Sequence, residues 1–179
     1  MKFCTGAAYF FNYSFKNTAT TFYDKYPNSY SKNILSEDVI SLEVQRDKII
    51  TKKLIIKEAA HTLKDMPSWI SKKLPQIAPT VEESVFDRNK NTLVTYTRNV
   101  SWRNVAKMDE KCIFTPEGAD KTKLERSVAV DVNYGRLSGL IEKVLMVRFR
   151  GAVTRIMAGL NERLNEKFCS PDQGLTPSL

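Results

Sequence analysis

The feature that most constrains this chain is a change of period near its C-terminal end. Leu124, Arg126, Val128, Val130, Val132 and Tyr134 occupy every second position, with Glu125, Ser127, Ala129, Asp131 and Asn133 between them. Successive strand residues point to opposite faces, so this alternation predicts a β-strand with one covered face. From Leu137 the period becomes helical. Leu137, Ile141, Val144, Arg148, Ala152, Arg155 and Gly159 recur at spacings of four or three, and an adjoining stripe carries Leu145, Phe149, Val153, Ile156, Met157, Leu160, Leu164 and Phe168. A helix over 137–168 would be roughly 48 Å long, enough to cross a whole sheet diagonally. The sheet is expected to wrap around it.

The preceding residues supply such a sheet. Phe15, Ala19, Phe22, Tyr23 and Tyr26 mark a short first helix that must end before Pro27, because a residue preceding proline is driven out of the α region. Three strand pairs follow: Ile34–Val44 with Ile49–Lys57, Thr80–Asp87 with Thr92–Val100, and Val105–Thr115 with Thr122–Tyr134, each pair joined by a short polar turn. The expected class is α+β: an antiparallel sheet of six or seven strands against one long C-terminal helix, forming one domain over 1–169 with 170–179 as a tail. The segment Glu58–Pro79 is too long for a hairpin turn. Its Met66, Pro67, Trp69, Ile70 and Leu74, beside Lys72 and Lys73, suggest a lid that touches a greasy surface, with a helical turn packed on the sheet edge as the alternative.

Composition excludes several classes. With 42% hydrophobic residues, 7 Gly and 7 Pro the chain is of folded, globular type. Cys4, Cys112 and Cys169 are odd in number and far apart, which predicts reduced, packed thiols instead of disulfides or a zinc site. The longest apolar stretches, Ala7–Phe11 and Val144–Val147, are far shorter than a membrane-spanning helix, and Met1–Asn12 has no leader pattern. His61 is the single histidine and has no carboxylate signature beside it; no glycine-rich phosphate loop is present. In Glu82-Glu83 and Asp109-Glu110 the neighbours point to opposite sheet faces, so neither pair can act as an acid/base dyad, and all four read as surface carboxylates. No enzyme and no cofactor are expected.

The basic residues say more. The net charge is +8. Arg148 and Arg155 are two helical turns apart on one face, with only Gly151 and Ala152 between them. That spacing suits a recess for an anionic group, arginine being well shaped for bidentate phosphate contact, or else an exposed stripe paired with sheet carboxylates. Lys25 and Lys57 could converge on the same mouth. Nucleic acid is the usual partner of so basic a chain, but here the charge is dispersed and no aromatic base-stacking platform is evident, so an anionic membrane surface fits better.

The block Lys25-Tyr26-Pro27-Asn28-Ser29-Tyr30, continuing to Ile40, resembles the signature of the PRELI family of mitochondrial intermembrane-space lipid carriers, and most of all its phosphatidic-acid branch. Lys53–Lys57, Met66–Trp69, Tyr96–Asn99, and Arg148-Phe149 with Val153 fall where that family has similar residues. The resemblance implies a helix-grip-like fold, with seven strands curved around the C-terminal helix and a lipid cavity gated by the 58–79 lid. It implies phosphate contacts at Lys25, Lys57, Arg148 and Arg155, a small twin-CX9C helical-hairpin partner, and phosphatidic acid as cargo. A phosphatidylserine carrier of the same fold is the alternative within the class, and a basic nucleic-acid-binding module the alternative outside it. The physical need for a carrier is plain: about 30 methylenes at ~0.8 kcal/mol each make the aqueous crossing of a two-chain lipid very slow.

Overall fold

The computed structural model describes residues 2–6, 8–58 and 76–169. The five expected lid residues (Met66, Pro67, Trp69, Ile70 and Leu74), His61 and the 170–179 tail lie outside the described residues. In chain order the elements are β1 (Lys2–Thr5), β2 (Tyr9–Phe11), α1 (Phe15–Phe22), β3 (Ile34–Val44), β4 (Lys48–Glu58), β5 (Ile77–Asp87), β6 (Thr92–Asn99), β7 (Ala106–Pro116) and β8 (Thr122–Val132). A 3-10 turn, Gly135–Leu137, then leads into α2 (Ser138–Phe168).

The strands form one antiparallel sheet in the order β1-β8-β7-β6-β5-β4-β3. β2 also pairs with β8: β1 covers Ser127–Val130 and β2 covers Thr122–Leu124, so the two short strands share one edge and the sheet is seven positions wide. It is an open sheet, with β3 at the far edge. Turn chemistry fixes the hairpins locally. The β7–β8 turn puts Gly118 at φ 85°, and the β5–β6 turn puts Asn91 at φ 48°, left-handed conformations that these residue types tolerate best. Ser14 caps α1 by accepting from the Asn17 amide at 3.3 Å, and the helix closes at Tyr23, ahead of Pro27 as expected.

α2 lies across the concave face and seals two separate apolar clusters. Its C-terminal half places Met157, Leu160 and Leu164 against Phe11, Phe15, Phe22, Leu93, Phe114 and Leu124. Its N-terminal half places Ile141 and Leu145 against Ala106, Val128, Val130 and Val132. On β8 the inward residue between Leu124 and Val128 is Arg126, and on β7 the one between Cys112 and Met108 is Glu110. The core is therefore interrupted by a polar seam at mid-sheet.

One expectation about packing needs correction. Cys112 is a free, buried thiol, but Cys169 is free and exposed, because it follows the last turn of α2. The edge strand β3, apolar by composition, buries little of that surface: Leu35, Val39, Ile40, Leu42 and Val44 are all exposed.

Candidate functional site

The site begins with the chain leaving α1. The Asn28 amide donates to the Lys25 carbonyl at 2.7 Å, and its side-chain oxygen accepts from the Tyr30 amide at 3.1 Å, folding the 25–30 block on itself. Ser29 donates to Glu162 through both its backbone N–H (2.8 Å) and its hydroxyl (2.5 Å). Asp24 pairs with Lys167 at 2.6 Å and with Arg163 at 3.1 Å. All these helix partners lie on the last turns of α2. The block can lie this close because residue 159 has no side chain: a Cβ there would sit 2.5 Å from the Asn28 side-chain oxygen.

This strapping turns Lys25 inward. It is 4% exposed, and its ammonium donates to both oxygens of Glu82 at 2.6 and 2.8 Å while lying 3.7 Å above the Phe22 ring centroid. Glu82 is delivered by β5, whose inward face is Thr80, Glu82 and Ser84. Next to it on β4, Lys53 is also buried and donates to Glu37 at 3.0 Å and to the Tyr23 carbonyl at 2.8 Å. Lys57, further along β4, makes no ion pair among the described residues, and burial pulls its ammonium below the ordinary lysine range.

Across the recess, Arg126 is 7% exposed and lies 4.7 Å from the Phe149 ring of α2. Its Nε donates to the Glu110 carboxylate. Its Nη1 is buried with no hydrogen-bond partner among the described residues. Glu110 also accepts from the Cys112 thiol at 3.2 Å, and burial pushes that thiol well up from its ordinary value.

These groups line a small recess between α2 and the sheet. Lys25, Lys57 and Arg126 face Glu82 and Glu110 within it, leaving one net positive charge among the lining side chains. Phe22, Ile55, Phe114, Ile156, Met157 and Leu160 form its apolar wall. Burial, with the nearby carboxylates, drives the Tyr26 phenol far above its usual value and keeps it protonated. Glu82 is engaged with Lys25 and Glu110 with Arg126, while Lys57 shares the recess with both carboxylates.

The structure brings two of the four expected basic residues, Lys25 and Lys57, into one recess. Arg155 is exposed on α2 and is not among the lining residues, and the Arg148 side chain lies outside the described residues although its backbone is helical. Gly151 is exposed, with nothing within 4 Å of where a Cβ would lie. The reading of Glu82 and Glu110 as surface carboxylates is overturned: their neighbours Glu83 and Asp109 do face outward, but these two point into the seam because their partners, Lys25 and Arg126, are there. Arg126 itself was missed. Its signal was present, since it occupies the covered register of an otherwise apolar strand.

Residues 16–170 match the PRELI-like family. The chain is 29% identical over 164 residues to the PRELI domain-containing protein 1, mitochondrial, of Gallus gallus, spanning 88% of this chain and 72% of that protein. It is 27% identical over 140 residues to Protein UPS1, mitochondrial, of Saccharomyces cerevisiae, spanning 77% of each. Human StAR-related lipid transfer protein 5 superposes with a TM-score of 0.52 at 12% identity, over 89% of this chain and 74% of that one, a likeness of fold: a curved antiparallel sheet gripping a C-terminal helix. The match runs from α1 through the Lys25–Asn28 block to the end of α2, so it takes in every element that builds the recess, and the chain belongs to the PRELI-like family.

Proposed function

We propose that this protein is a lipid carrier, not an enzyme, moving phosphatidic acid between mitochondrial membranes within the intermembrane space, with a small twin-CX9C helical-hairpin protein as partner. Family membership and the mitochondrial label carried by its relatives support this reading. The observation that carries it is a recess beneath α2 where buried cations meet an apolar wall. A phosphate monoester bears about −1.5 to −2 charges near neutral pH, so taking it out of water requires several positive donors at once. Lys25 and Lys57 hold the phosphate inside, while Arg148 and Arg155, on the stretch of α2 that spans the seam, receive it at the mouth. The acyl chains follow the apolar stripe of α2, and Met66, Pro67, Trp69, Ile70 and Leu74 act as the lid. No cofactor takes part, and the anionic bilayer is a transient partner.

One observation favours a second headgroup. Glu82 and Glu110 share the recess with the cations, which suits a headgroup bearing an ammonium as well as a phosphate, as in phosphatidylserine. Transfer from donor vesicles containing either lipid to acceptor vesicles distinguishes the two, and mass spectrometry of an organic extract of the purified protein identifies the cargo. Recovery of RNA in place of a diacyl phospholipid would refute both lipid readings.

A further inference from the structure

We propose that Glu110 is a displaceable internal counter-ion: it occupies Arg126 in the empty carrier and yields it to the phosphate of the incoming lipid, so that Arg126 binds the headgroup and Glu110 sets how firmly it is held. This rests on the lipid-carrier reading above and adds to it a residue pair on the sheet wall.

The geometry of the pair is the reason. A guanidinium offers five N–H donors in a planar fork, and its strongest partners take two of them in parallel. Here Glu110 is engaged through one oxygen, Oε1, at Nε, and that same oxygen also accepts from the Cys112 thiol. Arg126 Nη1 is left buried and unpartnered among the described residues, a costly state for a donor in so enclosed a place. The Phe149 ring, 4.7 Å from the guanidinium carbon, helps hold the group in position, and Arg126 lines the recess. The contrast with Lys25 is informative: that ammonium holds both oxygens of Glu82. Register adds to the difference. Arg126 lies opposite Cys112 and Glu110 opposite Val128, so Glu110 reaches the guanidinium on a diagonal. A phosphate, with oxygens to spare, can take the fork bidentately where the carboxylate does not. Glu110, once released, remains within electrostatic reach of Lys57, so its charge is not stranded.

The pair then acts as a built-in competitor. Without the carboxylate the lipid phosphate would be held too firmly for delivery, and with it the cation stays paired while the carrier is empty.

The test uses the full chain and phosphatidylcholine vesicles containing phosphatidic acid, reading the lipid retained at equilibrium and its release to acceptor vesicles. Glu110→Gln should retain about tenfold more phosphatidic acid and release it correspondingly more slowly. Retention of diacylglycerol added to the same vesicles, which has no phosphate, should not change, whereas general structural damage would lower both. In an Arg126→Gln background Glu110→Gln, which makes the pair neutral on both sides, should bring no gain, and retention should fall about tenfold below wild type. Glu110→Asp draws the carboxylate back by one methylene and should act in the same direction by about threefold, which keeps the test open if the Gln variant folds poorly. Unchanged or reduced retention in folded Glu110→Gln, or a gain that survives the loss of Arg126, overturns the inference while leaving the carrier reading intact. A wild-type protein that takes up no phosphatidic acid overturns both.

Discussion

Breaking the Lys25–Glu82 pair from either side should cost far more than removing it altogether. Both residues are buried, at 4% and 6% exposed, and the ammonium sits 2.6 and 2.8 Å from the two carboxylate oxygens. Lys25→Met leaves a carboxylate in the recess without its cation, and Glu82→Leu leaves an ammonium without its anion. Either change should cost about 3–5 kcal/mol, because the survivor keeps its desolvation penalty and loses the attraction that offset it. For a chain of this length that is a fall in Tm of roughly 10–15 °C. The double variant replaces two charges by apolar groups of similar volume and should recover to within about 2 kcal/mol of wild type, the residue being the lost contact of the ammonium with Phe22. Urea unfolding of the four proteins gives the coupling energy directly, expected at about 3 kcal/mol or more. Single variants that each cost less than about 1 kcal/mol, or a double variant equal to their sum, would show that this site is wet and the pair energetically incidental. The double variant also separates folding from function, since it should stay folded and lose retention of anionic lipid.

Three further outcomes concern α2 and its contacts with residues 24–30. Gly159→Ala puts a Cβ 2.5 Å from the side-chain oxygen of Asn28, which is pinned by Lys25 and Tyr30, so it should cost about 1–3 kcal/mol; an unshifted urea midpoint would mean that Asn28 moves aside freely. Gly151→Ala meets open space on a helix and should stabilise by about 0.5–1 kcal/mol, and a loss would place residue 151 against an unrecognised neighbour. The Asp24 carboxyl is held below its ordinary 3.8 chiefly by the hydrogen bond from Lys167, so its contribution is present above that value and is lost as pH falls through the lower folded value. Because the side chain is half exposed the effect should stay under about 1 kcal/mol, and Asp24→Asn should flatten that part of the stability–pH curve; an identical slope in both proteins would count against the pairing.

The long elements were legible because each repeats its pattern many times. The alternation over 122–134 and the helical stripe over 137–168 correspond to β8 and α2 nearly residue for residue, and Pro27 marked the end of the first helix. β1 and β2 were not legible, being four and three residues long with a break between them, too short to establish a period. The site was half legible. Lys25 and Lys57 were legible as charges that could converge on one mouth, and the resemblance implied their phosphate role, but Glu82 looked like surface because β5 inverts the usual rule: Thr80, Glu82 and Ser84 turn inward, and Val81 and Val85 turn to the other face. A pair such as Lys25 and Glu82, 57 positions apart, has no local signature. Arg126 could have been found, since an arginine in step with Leu124, Val128 and Val130 must be buried if the strand is.

An ionic seam between two oily clusters also decides where the molecule yields. Lifting α2 away from either cluster uncovers hydrocarbon, at about 25 cal/mol for each Å² wetted, whereas lifting it at Arg126 admits water to groups that are readily solvated. The least costly breach is therefore amidships, with Leu145 and Met157 staying seated on either side. A long rod anchored near both ends and bowed at its centre can open a passage without the sheet and helix coming apart.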